Sequence, residues 1–395
     1  MSSPQSRLEH LAGGTVGHVV DIYLPRTQTF IYTQLRFASR YRPVVLAGRT
    51  ENLSEFPFSP IVDLDAPEQF AMRSRLGALA RGFRSPKTLR LADAIGRLGC
   101  DVLHAHFGWT ASGMRAAASK KHLPFVTTFY GADLAFPQNG AAWADAYARL
   151  FAEGTLFVCE GPRMAESLAG LGCPESKIRL VRIAIDLEQF PYAARPASRP
   201  LIVLAAGRFI EKKGFDTAIR AFAAARDRLG ESELWLVGDG ELRAELEHLA
   251  DDLHVSSSVR FLGMLSHVEY RDAVSRAHIG LQPSRTARNG DTEGGAPTVL
   301  LEMQASGIPV VASRHADIPY VVEAVDALAD EHDVAGLADA LAAVADLSPA
   351  DAEARARRAR AFVEREHGAE SVAGRLAEVY DEATGSSATA RPPAA

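Results

Sequence analysis

The amino-acid sequence predicts an α/β protein built from two doubly wound, Rossmann-like domains facing across a cleft. Short apolar runs rich in β-branched residues alternate with longer stretches of helical period, the pattern of a parallel sheet covered on both faces. The alternation occurs twice, on either side of a stretch holding Pro191, Pro196 and Pro200 with no apolar period. A chain of 395 residues is long enough for two domains of ordinary size.

In the first half, strands are predicted at 17–23, 43–46, 101–106, 125–128, 155–159 and 179–182, and in the second at 201–205, 233–237, 259–262, 278–282 and 308–312. Helices between the later strands include 215–228 and 242–249, and a last one, 369–383, carries Val372, Leu376 and Tyr380 on one side. The domain reading is therefore 15–190, a linker at 191–200, a second domain at 201–365, a helix at 366–384 that can cross back, and a disordered tail at 385–395. Ligands of doubly wound sheets bind at the carboxyl ends of the strands, so the active site is expected in the cleft.

Apolar residues make up 47% and charged residues 23%, which sets aside disordered, collagenous and coiled-coil classes. No run approaches the roughly 18–20 apolar residues of a membrane span, and Met1 to Arg7 has no apolar stretch of signal type, so a cytoplasmic protein is expected. Cys100, Cys159 and Cys173 are too few and scattered for a disulfide framework or a four-ligand zinc site. The residues up to 200 carry a net charge of +6 and the rest −12, totalling −6, which suggests that the first half meets something anionic. Nucleic acid is not expected, because aromatics do not interleave the basic residues and no recognition motif accompanies them.

The most informative stretch runs from Gly290 to Ala312, where a glycine-rich loop leads into a helix and then a strand. Gly294 and Gly295 let successive amides point inward, and Pro297 suits the first position of a helix whose free N–H groups, at Thr298 and Val299, face the loop. A phosphate is the natural guest. Glu302 lies in an otherwise apolar run, so if buried it needs donors such as a ribose diol, and Glu293 stands in the loop within reach of a sugar beyond the phosphates. A capped helix with a surface glutamate accounts for the same pattern. Upstream, Gly207 permits a tight exit from a strand, and Arg208 and Lys213 offer a planar fork and a point charge to a diphosphate and to the charge on a leaving phosphate. Solvated loop cations are the plain alternative. Replacing Arg208 or Lys213 by Ala is expected to cut activity by orders of magnitude with the fold intact.

His104 and His106, two apart on a strand, share one face; a metal would need a third ligand that the sequence does not identify, and core or cleft lining accounts for the pair, so no metal is expected. Residues 72–98 carry Arg73, Arg75, Arg81, Arg84, Lys87, Arg90 and Arg97 against the single acid Asp93. Such a surface suits peripheral contact with an anionic membrane, and an ordinary solvated helix face fits as well.

Gly207-Arg208 with Lys213-Gly214, Val237 to Gly240, Val259 to Gly263, and Glu293 to Glu302 resemble, in order and spacing, the retaining nucleotide-sugar-dependent glycosyltransferases of family 4, which have the GT-B fold. Asp101 to Phe107, Thr127 to Asp133 and Arg182 to Phe190 resemble its first-domain segments, so the likeness spans roughly residues 17–380. Thr27 to Ile31, the loop from Gly290 to Pro297, and Ser313 to Pro319 look most like enzymes of colanic acid and exopolysaccharide assembly.

The resemblance implies transfer of a hexose-type sugar from a UDP- or GDP-linked donor, itself a substrate, to a saccharide or lipid-linked acceptor, with no separate cofactor. It implies catalytic positions at Arg208, Lys213 and Glu293, and donor-binding positions at Gly207, Gly294, Gly295, Pro297, Thr298, Val299, Glu302 and Met264. His106, Tyr130 and Thr27 are the expected acceptor or sugar contacts. Its mechanism implies front-face displacement, with the leaving diphosphate taking the acceptor's proton. Three departures stand out. Eight residues separate Glu293 from Glu302 where the family has seven, Tyr130 replaces a frequent histidine, and Pro25 to Thr29 replaces a Gly-Gly loop. A nucleotide-sugar epimerase and a non-catalytic sugar-binding protein are the alternatives; the latter would favour a signal peptide and lack the phosphate-binding constellation.

Overall fold

The computed structural model describes residues 8, 10–65, 86–134, 140–194, 200–324 and 327–386. The chain divides into two compact units, one of Met1–Ala184 with Ala369–Ala395 and the other of Ile185–Gly368.

The first unit comprises β1 (Thr15–Tyr23), α1 (Thr29–Arg36), β2 (Arg42–Thr50), β3 (Ile61–Asp63), α2 (Pro86–Leu98), β4 (Val102–His106), α3 (Gly108–Lys121), β5 (Phe125–Thr128), α4 (Ala141–Glu153), β6 (Leu156–Cys159), α5 (Pro162–Gly170) and β7 (Ile178–Leu180). The strands form one parallel sheet in the order β3-β2-β1-β4-β5-β6-β7. β4, β5 and β6 are buried along their whole length, as strands covered on both faces must be. Alternate residues supply the two cores. Leu46, Leu103 and Phe157 meet Leu91, Ile95, Met114 and Leu150 on one face, and Val16, Val102, Val126 and Val158 line the other.

The second unit comprises β8 (Leu201–Ala206), α6 (Phe215–Leu229), β9 (Ser232–Val237), α7 (Arg243–Asp252), β10 (Val259–Gly263), α8 (His267–Arg276), β11 (Ile279–Gln282), α9 (Thr298–Ala305), β12 (Val310–Ser313), β13 (Leu328–Ala329), α10 (Val334–Ala345) and α11 (Pro349–His367). Its parallel sheet runs β10-β9-β8-β11-β12-β13. In both sheets the order reverses beside the first strand, between β1 and β4 and between β8 and β11, which opens a crevice at the strands' carboxyl ends. The exits of β8 and β9 are packed backbone to backbone. Gly238 has φ 134°, and a Cβ there would lie 1.9 Å from the Gly207 carbonyl oxygen, so only glycine fits.

The chain then returns to the first unit as α12 (Ala369–Thr384), whose Val372, Leu376 and Tyr380 fill the face opposite α2 and α3. Tyr41 donates to Asp381 at 2.7 Å, and the Tyr380 hydroxyl lies 2.7 Å from His104 Nδ1.

The two-domain α/β reading holds, with local differences. β2 continues past Leu46 to Thr50 because it stays in register with Ile22 and Tyr23 of β1. β3 and β13, of three and two residues, are too short to show a period. Residues 72–85 of the basic stretch, 195–199 of the expected linker and 387–395 of the expected tail lie outside the described residues.

Tyr380→Phe removes the hydroxyl from a fully buried imidazole. It should destabilise the first unit by about 1–3 kcal/mol, read as a lowered urea midpoint with the slope unchanged; an unshifted midpoint would show that the bond contributes nothing.

Candidate functional site

Beside the β8–β11 reversal the chain brings Lys213 and Glu293, two of the residues that the sequence singled out in its second half, into contact. Gly207 and Arg208 follow β8; Arg208 is exposed, and its guanidinium has no partner among the described residues. Lys212 and Lys213 end a short 3-10 turn, Glu211–Lys213, closed by Gly214 at φ 66°. From there Lys213 Nζ reaches Glu293 Oε2 at 2.8 Å, while the Ser284 hydroxyl donates to Glu293 Oε1 at 2.6 Å. The Glu293 side chain is only 7% exposed. Burial pushes its carboxyl up, but the Lys213 charge and the hydrogen bonds from Lys213 and Ser284 outweigh it and hold the group below the usual range.

Lys212, which the sequence reading passed over, is buried and donates to Asp291 Oδ1 at 2.9 Å and to the Thr292 carbonyl at 2.8 Å. Thr292 Oγ1 accepts from the Gly294 amide at 2.8 Å. The two neighbouring lysines thus grip consecutive residues of the glycine loop. Glu293 stands at Lys213 even with eight residues separating it from Glu302.

Gly294 takes φ 76° and leads through the buried Gly295 to α9. Pro297 is not the first helical residue, as expected, but the residue before it: its ψ of 131° is extended, and the helix opens at Thr298. Leu300 N–H donates to the Pro297 carbonyl at 3.1 Å, and among the described residues the amides of Thr298 and Val299 have no backbone partner. Glu302 sits one turn further along, on the face of Thr298. Its Oε2 accepts from the Tyr270 hydroxyl at 2.9 Å. Burial raises its carboxyl to about 7, against the pull of that hydrogen bond. Met264, just beyond β10, is 55% exposed, and no described contact joins it to the loop.

In the first unit, His106 and Tyr130 come together: Nδ1 lies 2.7 Å from the Tyr130 hydroxyl. Phe30 packs on the Tyr130 ring at 4.8 Å, and Thr27 is exposed in the turn before α1, with no described contact to either. The partner that the sequence did not identify for the His104/His106 pair is His18, which lies opposite His104 in the register of β1 and β4. Among the described residues, these three histidines form the one group whose ring nitrogens, within 4.8 Å of one another, are close enough to share an ion. Their arrangement is that of a hydrogen-bonded stack. His104 and His106 lie at 24° and His18 and His106 at 25°, so in-plane lone pairs run side by side. Both nitrogens of His104 face hydroxyls, of Tyr380 and Thr128, and those of His106 face Tyr130 and His18, each at 2.7–3.1 Å. Burial lowers all three rings well below the ordinary histidine range and keeps them neutral.

Asp133, fully buried, accepts from the amides of Gly108 and Tyr130 at 2.9 and 3.0 Å and so ties the start of α3 to the Tyr130 loop. Lys87 of the basic stretch is held by Asp65 at 3.1 Å and Asp21 at 3.5 Å. No helix among the described residues is long and apolar enough to cross a membrane.

Two doubly wound parallel-sheet domains, the second carrying a glycine loop gripped by two lysines, have the architecture of the GT-B class of fold. A model of glycosyltransferase family 4 matches residues 17–189, and one of group 1 glycosyl transferases matches residues 200–346. The chain belongs to glycosyltransferase family 4. It is 34% identical over 226 residues to the amylovoran biosynthesis glycosyltransferase AmsK of Erwinia amylovora, covering 56% of this chain and 55% of that protein. It is 31% identical to the putative colanic acid biosynthesis glycosyltransferase WcaL of Escherichia coli K12, covering 67% and 66%. Among solved structures, Anabaena HepE in complex with UDP-glucose superimposes with a TM-score of 0.75 at 16% identity, over 93% of this chain and all of that one, and shows the shared fold.

The pairing of Lys213 with Glu293 adds a stability cost to the removal of Lys213. Truncating it leaves a buried carboxylate without its cation, a change that costs about 3–5 kcal/mol in comparable sites. Lys213→Ala should therefore lower the melting temperature as well as activity, whereas Arg208→Ala should leave the melting temperature unchanged; equal melting of the two variants contradicts the pairing.

Glu302 also gives a pH signature. Its folded-state value of about 7 lies above the ordinary 4.5, so its contribution to stability is fully present below pH 4.5 and is lost as pH rises through about 7. Glu302→Gln should flatten the fall in stability across that interval, measured by urea unfolding at stepped pH. A curve parallel to that of the wild type would show that the carboxyl is solvated.

Proposed function

We propose that the protein is a retaining glycosyltransferase that moves a hexose-type sugar from a UDP- or GDP-linked donor to a saccharide or lipid-linked acceptor in exopolysaccharide or cell-surface glycan synthesis. What supports this reading is the Lys213–Glu293 pair, which closes the turn after β8 onto the glycine loop that leads to α9, together with an exposed Arg208 in that turn and an α9 that opens at Thr298. A diphosphate is the anion that takes two cations and a helix N-terminus together. Glu302, beside Tyr270, is the group to accept from a ribose diol, and Glu293 is the one to meet the transferred sugar. The names of the relatives, in amylovoran and colanic acid biosynthesis, support the pathway class.

In this reading the sugar–phosphate bond breaks as negative charge grows on the leaving diphosphate. Arg208, Lys213 and the α9 amides stabilise that charge without a metal or other cofactor. The acceptor hydroxyl attacks from the same face, and its proton passes to the departing phosphate, which preserves the anomeric configuration. The first unit holds the acceptor, near Tyr130 and His106, with Thr27 at its edge. Contact of residues 72–98 with an anionic leaflet would bring a lipid-linked acceptor to it.

Screening UDP- and GDP-sugars for thermal stabilisation identifies the donor. With that donor, Arg208→Ala should reduce transfer by about 100-fold or more. Glu302→Gln should weaken nucleotide binding in calorimetry and leave acceptor binding unchanged. Stabilisation by no nucleotide sugar, or near-normal turnover of Arg208→Ala, would sink the assignment.

A further inference from the structure

We propose that His315 and Glu331 form a positioning pair that sets the backbone of Glu293, a role resting on the reading of this loop as the donor site. His315 lies in the turn after β12 and is 2% exposed. Its Nε2 lies 3.1 Å from the Glu293 backbone nitrogen, and its Nδ1 lies 2.6 Å from Glu331 Oε1. A backbone amide can only donate, so Nε2 is the acceptor and carries no proton. The ring proton therefore sits on Nδ1 and is donated to Glu331. Glu331, in the turn after β13, also accepts from the Thr286 amide after β11 at 2.8 Å through its other oxygen.

The exits of three adjacent strands, β11, β12 and β13, are thus linked side by side, and the chain of bonds ends on the one residue whose carboxylate meets Lys213 and Ser284. The carboxylate of Glu293 is held from one side by the lysine and the serine. Its backbone is held from the other by the histidine. With both fixed, the side chain has one position, and a displacement of about 1 Å at a reacting centre can cost on the order of 100-fold in rate. The pair contributes no group to the diphosphate. Its loss should therefore appear in turnover and not in nucleotide affinity.

Two substitutions separate this role from a general packing role. In His315→Asn the amide occupies the place of Nδ1 and nothing accepts from Glu293. In His315→Gln the amide oxygen reaches the place of Nε2 and the acceptor is kept. With the donor found by screening, His315→Asn should lower kcat about tenfold or more, with KM for the donor and nucleotide affinity within about threefold of wild type. His315→Gln should recover most of the loss. Glu331→Gln can donate to Nδ1 and drive the ring proton onto Nε2, and it should behave like His315→Asn.

Hydrogen exchange on the ligand-free protein tests the bond itself: the Glu293 amide should be protected in wild type and in His315→Gln and should exchange faster in His315→Asn. Unchanged exchange and turnover in His315→Asn overturn the proposal. So does an equal fall in both histidine variants accompanied by lost nucleotide affinity, the signature of a collapsed loop. If no nucleotide sugar supports turnover by the wild type, the donor reading fails separately, and the exchange rates still report on the pair.

Discussion

The buried ion pair of Lys213 with Glu293 governs the second unit, because a carboxylate 7% exposed is tolerable only where its charge is met. Meeting it requires the turn after β8 and the glycine loop after β11, 80 residues apart, to close on each other. Lys212 makes the same closure one residue along, through Asp291 and Thr292. Arg285 repeats it with Asp216 at 2.9 Å, at the start of α6. Three cation–carboxylate contacts therefore hold the loops at the sheet reversal where free helix amides and an unpaired arginine are left over.

The first unit solves a different problem with neutral groups. Three imidazoles buried in a parallel sheet cannot be charged, so each must find uncharged partners. Tyr380, Thr128 and Tyr130 supply hydroxyls, and the histidines bond to each other where a hydroxyl is lacking. One of those hydroxyls comes from α12, which follows the entire second unit in the chain. The polar stack thus depends on a helix distant in sequence, and it ends at Tyr130, whose loop Asp133 fixes.

What the sequence made legible follows from range. Strand and helix positions rest on local apolar period, so the cores of both sheets were readable, and β3 and β13 were not because two or three residues have no period. Lys213 and Glu293 were recognisable as residue types in glycine-bearing loops, and Glu302 as an acid in an otherwise apolar helical run. Lys212 was not, since a lysine beside another in a loop looks solvated until its carboxylate and carbonyl partners are in place. His18 and Glu331 were invisible for the same reason: His18 matters through partners on a neighbouring strand, and Glu331 through partners in the turns that follow neighbouring strands. The helix start at Thr298 was misjudged by one residue because Pro297 fixes φ but leaves ψ free, and here ψ is extended.

Charge asymmetry and local pairing single out different halves of the chain. The residues up to 200 total +6 and the rest −12, which pointed to the first half as the partner of an anion. Yet the constellation suited to a diphosphate lies in the acidic half. Net charge sums surface groups that solvent and salt screen over roughly 8–10 Å. At the loop, the acids count for little because Glu293, Asp291 and Asp216 are each paired with a cation. In the proposed reading, what an incoming anion meets is the remainder among the described residues: the first amides of α9 and the exposed guanidinium of Arg208. If the proposed donor site holds, local hydrogen bonding sets where such a ligand binds, and the overall field acts on how quickly it arrives.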